Sequence, residues 1–177
     1  MVDLYIIDGY NLMHTLEPGK VTAANLEEKR LSLIEQVINF VGASGGEAVV
    51  VFDSSVSGKE TVSQMRGAPV SVRFASRNES ADIVIGRLVQ EALKKNGKAG
   101  DDKPGRIMVV SADWEVQRGS LRGRASRLPP RHFIAELKKF EKGVANSSEM
   151  DRMHWKIEHK VDVETLKKLE RMRRGLK

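Results

Sequence analysis

The chain alternates short unbroken apolar runs with longer segments whose apolar residues recur every three or four positions. Leu4 to Ile7, Ala48 to Phe52 and the apolar part of Arg106 to Val110 are runs of the first kind, and Val70 to Phe74, interrupted by Ser71 and Arg73, reads as a further strand. Bounded by turn residues, they predict strands buried on both faces. The second kind predicts helices. Over Asn25 to Val41, the residues Leu26, Leu33, Ile34, Val37, Ile38 and Val41 share one face, and Asn25 with Glu28 has capping-box form. Over Ala81 to Lys95, the shared face carries Ala81, Val84, Ile85, Leu88 and Ala92, with Ser80 as N-cap. Pro130 suits the first turn of a helix running to about Lys142, with Phe133, Leu137 and Phe140 inward. Val163, Leu166, Leu169 and Met172 predict a last, basic helix ending near Arg174. Between these segments, Ser54 to Pro69 reads as a mobile loop and Asn96 to Gly105 as a turn-rich one. Gln117 to Arg131 is polar and arginine-rich, and Gly143 to Asp151 reads as a linker.

Strands alternating with helices imply an α/β domain with a mainly parallel central sheet. The 177 residues divide into one such domain, 1–145, and a basic, helical tail, 146–177. The absence of cysteine excludes disulfides and thiolate zinc sites and makes a reducing cytoplasm the expected compartment. The start lacks a basic leader and its apolar run breaks at Asp8, so neither a signal peptide nor a membrane span is expected. A net charge of +6 and a pI near 9.6 favour a polyanionic partner, although charge alone is a weak discriminator.

The carboxylates change the picture more. In open α/β sheets, ligands bind beyond the carboxyl ends of the strands. The first strand ends at Asp8 and the second at Asp53, the fourth leads into Asp113, and Asp82 lies in the first turn of a helix expected to start near the same edge. Four carboxylates brought together repel one another, and a cation is the usual remedy. An all-oxygen set without cysteine or paired histidines favours Mg²⁺ or Mn²⁺ over Zn²⁺. Such metals assist phosphodiester hydrolysis. The chain contains no G-x-G-x-x-G or P-loop motif, which argues against dinucleotide binding and NTPase chemistry.

Arg118, Arg122, Arg124, Arg127 and Arg131 follow Asp113 and form a candidate phosphate-binding rim for RNA. Ser111 admits two readings, donor to a phosphate oxygen or turn cap. Asn11 reads either as an Asx-turn residue or as a hydrogen-bonding member of the site. The basic positions from Lys167 to Lys177 suit nucleic-acid binding or a solvated helix face equally well.

The run Ile6-Ile7-Asp8-Gly9-Tyr10-Asn11-Leu12 resembles the first motif of the NYN domain, a branch of the PIN-like nuclease fold. Val51-Phe52-Asp53, Glu79-Ser80-Ala81-Asp82 and Ser111-Ala112-Asp113 resemble its later motifs, and Ala125-Ser126-Arg127 with Phe133 to Glu136 resembles the close of the YacP-like subfamily. These matches span about residues 3 to 140. The resemblance implies a three-layer PIN-like fold and a metal-dependent endoribonuclease acting on mRNA associated with the ribosome. It implies Asp8, Asp82 and Asp113 as metal-binding acids, Asn11 as a polar neighbour contacting water or phosphate, and Asp53 as an additional acid. Two other classes compete: a non-catalytic RNA- or ribosome-binding module on the same fold, and a phosphatase of small esters.

Overall fold

A computed structural model describes residues 4–53, 61–65, 67–98, 105–112 and 125–145. Strand β1 (Leu4–Asp8) lies at the heart of a six-stranded sheet among these residues. It pairs in parallel with β2 (Glu47–Phe52) on one side and β5 (Ile107–Val110) on the other. Outward from β2 come β4 (Val70–Phe74), parallel, and β3 (Thr61–Gln64), antiparallel to β4. Strand β6 (Ala125–Leu128) closes the opposite edge, parallel to β5, so the order is β3-β4-β2-β1-β5-β6.

Helices cover both faces, because the central strands are apolar on both sides. One face receives α1 (Gly9–Leu16), α2 (Leu26–Ser44) and α4 (Pro130–Ala145). Here Tyr5, Ile7, Val50 and Phe52 of the sheet meet Leu12, Leu33, Val37 and Phe133 of the helices. Aromatic edges join the layer, with ring centroids 5.5 Å apart for Tyr5 and Phe133 and 5.3 Å for Phe40 and Phe133. The other face receives α3 (Ala81–Lys98), whose Ala81, Val84, Ile85 and Leu88 pack on Ile6, Val51, Ile107 and Val109. The result is the expected three-layer α/β architecture.

Several local expectations are corrected. Asn25 does not close a capping box: its Oδ1 accepts from the Thr22 amide at 2.8 Å and its Nδ2 donates to the Lys20 carbonyl, so the side chain closes the preceding turn instead. The helix runs past Val41 to Ser44 and stops at Gly45, whose φ of 73° is the left-handed conformation that glycine adopts without a Cβ penalty. Within the stretch read as a loop from Ser54 to Pro69, Thr61–Gln64 is an edge strand; only 54–60 and 66 of that stretch lie outside the described residues. Within the arginine-rich segment, Ala125–Leu128 is also an edge strand. Both are four residues long and mix polar with apolar side chains, so neither carries the unbroken apolar signature of the central strands. The segment 113–124, most of the loop Asn96 to Gly105 and the whole tail 146–177 lie outside the described residues. Among the described residues, no helix is long and apolar enough to cross a membrane.

Candidate functional site

The chain reverses its winding at β1. From β1 it passes through α1 and α2 on one face to β2, and from β4 through α3 on the other face to β5. The carboxyl ends of β1 and β5 therefore flank the topological switch point, where open α/β sheets bind their ligands. Asp8 is the last residue of β1, and Ser111-Ala112 follow the last residue of β5.

Each residue of the Asp8-Gly9-Tyr10-Asn11 run has a distinct task here. The Asp8 side chain caps α1, its Oδ1 accepting from the Asn11 amide at 3.0 Å. Gly9 lies against the Phe52 ring so closely that an added methyl group would overlap it. Tyr10 stands edge-on to Phe52, with centroids 5.2 Å apart, and its hydroxyl accepts from the Arg30 guanidinium. The Asn11 Oδ1 crosses to the end of β5 and accepts from the Ala112 amide at 3.3 Å. Asn11 thus gives its backbone amide to the turn capped by Asp8, while its side chain spans from α1 to the end of β5.

Asp53 follows β2 and caps at long range. Its Oδ1 accepts from the Ala81 amide at 2.6 Å, across 28 residues of sequence, and so ties the start of α3 to the same sheet edge. Ser80 takes the N-cap place with its backbone carbonyl, which accepts from the Ile83 amide at 3.1 Å. Asp82, one residue into the helix, is exposed there. Glu79 pairs with Arg87, 3.2 Å away, and thus behaves as a surface ion-pair partner.

Asp8, Asp53 and Asp82 thus come to one edge, but among the described residues no three acidic, histidine or cysteine side chains are grouped closely enough to hold a metal ion. Asp113, the remaining acid, lies outside the described residues, as do Arg118, Arg122 and Arg124. Arg131 is exposed at the start of α4. Ser111, for which donation to an RNA phosphate oxygen is one of two readings, is fully buried. Arg127 is engaged with the backbone: its Nε donates to the Ser111 carbonyl at 3.0 Å and an Nη to the Ala112 carbonyl at 2.5 Å. A cavity of about 490 Å³ opens at the opposite edge, where Leu4, Glu47 and Ile107 begin their strands and Arg73, Lys95 and Arg106 contribute cations.

Sequence reasoning passed over Arg30. It is 4% exposed, its guanidinium lies 5.2 to 5.6 Å from the ring centroids of Tyr10, Phe52 and Phe74, and it bonds Glu27 at 2.6 Å. A signal was present: Arg30 stands four residues after Leu26 and four before Ile34, inside the apolar stripe of α2. An arginine in that position is buried only when its charge finds partners.

A parallel α/β sheet with an acidic switch-point edge is the architecture of PIN-like nucleases. A profile of the YacP-like NYN domain matches residues 5–174, and the chain belongs to that family. The match runs through the basic tail, well past residue 140, where the motif resemblance ends. The chain is 27% identical to the uncharacterized protein YacP of Bacillus subtilis (strain 168), over 98% of each chain. It also resembles the crystal structure of Rae1 (YacP) from Bacillus subtilis, at 27% identity and a TM-score of 0.62, covering 98% of this chain and 96% of that one. A crystal structure of a tryptophan-to-leucine mutant of that protein matches in fold with a TM-score of 0.63 at 22% identity, over 95% of this chain and 99% of the other.

Proposed function

We propose that this protein is a divalent-metal-dependent endoribonuclease that hydrolyses RNA phosphodiester bonds, with ribosome-associated mRNA as its substrate. The observation that carries this reading is the delivery of Asp8 and Asp82 to one switch-point edge in a chain of the NYN family. Asp8, Asp82 and Asp113 would hold Mg²⁺ or Mn²⁺, whose oxygen preference suits a purely carboxylate donor set. Such a metal, when bound, activates water and neutralises charge on the phosphate. The protein's own contribution is positional. Asp53 holds the start of α3 in place and so locates Asp82, and the Asn11 side chain ties the Asp8 turn to the end of β5.

A basic surface adjoins this edge and suits an RNA backbone. Arg131, Lys138, Lys139 and Lys142 are exposed on α4, which begins just after β6. Positions 131, 138 and 142 fall on one side of a helix of 3.6 residues per turn. Arg118, Arg122 and Arg124 are proposed to extend the surface.

The deciding experiment measures cleavage of mRNA, free and on translating ribosomes, with Mg²⁺ or Mn²⁺. Asp8→Asn and Asp82→Asn should each reduce cleavage roughly 100-fold or more, since even outer-shell partners of a metal cost about 10–100-fold. Thermal unfolding should hardly change, because asparagine at position 8 is as good an N-cap as aspartate and Asp82 is exposed. Wild-type cleavage by either variant would defeat the assignment. One alternative is a non-catalytic RNA- or ribosome-binding module on the same fold, which the exposed basic side chains of α4 would equally serve. That alternative predicts wild-type protein that binds RNA and cleaves it with neither metal.

A further inference from the structure

We propose that Arg127 is a positioning residue for Asp8, acting through a relay of hydrogen bonds that crosses the switch point. The relay begins on the edge strand β6. Two donors of the Arg127 guanidinium grip consecutive carbonyls, Ser111 at 3.0 Å and Ala112 at 2.5 Å. A planar fork with two donors on adjacent peptides fixes the orientation of both peptide planes, which a single flexible ammonium does not. The Ala112 amide then meets the Asn11 Oδ1 at 3.3 Å, and the Asn11 amide meets the Asp8 Oδ1 at 3.0 Å. Three elements distant in sequence, β6, the end of β5 and the start of α1, are thereby joined to one carboxylate.

The arrangement assigns Arg127 a different part from the phosphate contact that its place in an arginine-rich segment suggests. Register places it beside Val109 on β5, and β6 pairs with no other strand among the described residues. The guanidinium therefore extends the grip of a four-residue edge strand past the last paired residue, Leu128 opposite Val110. At 3.3 Å the Ala112-to-Asn11 bond is the longest in the relay, and it depends most on the Ala112 peptide being held from its other side.

The catalytic part of this proposal rests on the nuclease reading above, but its structural part does not, and the experiment separates them. Arg127→Ala, Arg127→Lys and Asn11→Ala would be compared with wild type by three measurements. The first is amide hydrogen exchange at Asn11 and Ala112 in metal-free protein, which should speed up about tenfold in Arg127→Ala for the loss of support to a single hydrogen bond. The second is Mn²⁺ affinity without RNA, which should fall roughly 10–100-fold, as for other groups that orient metal ligands. The third is steady-state cleavage, in which kcat should fall with KM unchanged. Arg127→Lys should recover only part of each effect. Arg127→Ala and Asn11→Ala should not add in the double variant, because they cut the same relay.

A raised KM and weakened RNA affinity, with Mn²⁺ affinity and kcat as in wild type, would make Arg127 an RNA contact and overturn the proposal. Full additivity of the two variants would overturn it as well. If wild-type protein neither binds Mn²⁺ nor cleaves RNA, the nuclease reading fails. The relay is then judged on exchange alone, and unchanged exchange at Asn11 in Arg127→Ala overturns it.

Discussion

The carboxyl ends of β1 and β2 lie side by side and each ends in an aspartate, yet the two aspartates are used over very different ranges. Asp8 caps the helix that follows it directly, bonding an amide three residues on. Asp53 caps a helix that begins 28 residues later, after two further strands. The first is a local device, formed as soon as the turn forms. The second is formed only when β4 and α3 are in place, so it reports tertiary assembly. Between them stands Phe52, which the Gly9 backbone and the Tyr10 ring both touch. The two ends are therefore one packed unit, with the local cap on one side and the remote cap on the other.

The largest effect on stability should come from that shared contact. Gly9→Ala drives a methyl group into the Phe52 ring, which is fully buried and stacked on Phe74 with centroids 5.6 Å apart. Overpacking of this kind costs about 1–3 kcal/mol, to be read by thermal or urea unfolding. Trimming the ring should recover part of the loss, so Gly9→Ala with Phe52→Leu should be more stable than the sum of the two single changes. Simple additivity would mean that the two strand ends are not coupled through this ring.

A smaller effect separates the two caps. Asp53→Ala removes the acceptor for the Ala81 amide and should cost about 1 kcal/mol, whereas Asp53→Asn keeps an acceptor oxygen and should cost a few tenths. The same pair tests what Asp53 does at the site. If its task is to seat α3, Asn should retain most of the cleavage that Ala loses. Equal loss in both variants would show that the Asp53 charge itself takes part, as an additional acid would.

This contrast also explains what could be read from the chain. Patterns of short range were legible: the apolar runs of β1, β2 and β5, the helical stripe of α3, and the aspartates placed at strand ends by adjacency alone. Patterns that depend on distant partners were not. Helix α1 has eight residues and begins inside a motif that reads as a turn, and a helix so short depends on the packing of Leu12 and Met13 beside its Asp8 cap. Strands β3 and β6 exist because an edge was left to pair with, not because Thr61–Gln64 or Ala125–Leu128 prefer extended structure. Arg127 reads as one cation among five in its segment until β5 arrives beside it. The places of Asp8, Asp53 and Asp82 at strand and helix ends were legible, while the hydrogen bonds that tie these ends together were visible only once the elements had assembled.

The smallest effect should lie at the far end of α1, where the local side of the comparison is held by charge. Glu17, its C-cap residue, pairs with Lys29 of α2 at 2.5 Å, and both side chains are partly exposed. The hydrogen bond from Lys29 holds the Glu17 carboxyl below its ordinary range, and the same bond holds the Lys29 ammonium above its own. A lowered carboxyl contributes stability above its unfolded-state value and loses it as pH falls through the folded one; a raised ammonium contributes below its unfolded-state value and loses it as pH rises through the folded one. The pair is therefore intact across the neutral range and fails at both extremes. Exposed pairs contribute little and are screened by salt. Glu17→Gln should lower the Tm only slightly at neutral pH and low salt, with the difference vanishing in acid or at high salt and with cleavage unchanged. A loss as large as that of Gly9→Ala would reverse the reading, since α1 would then be anchored at its charged end rather than where Gly9 meets Phe52.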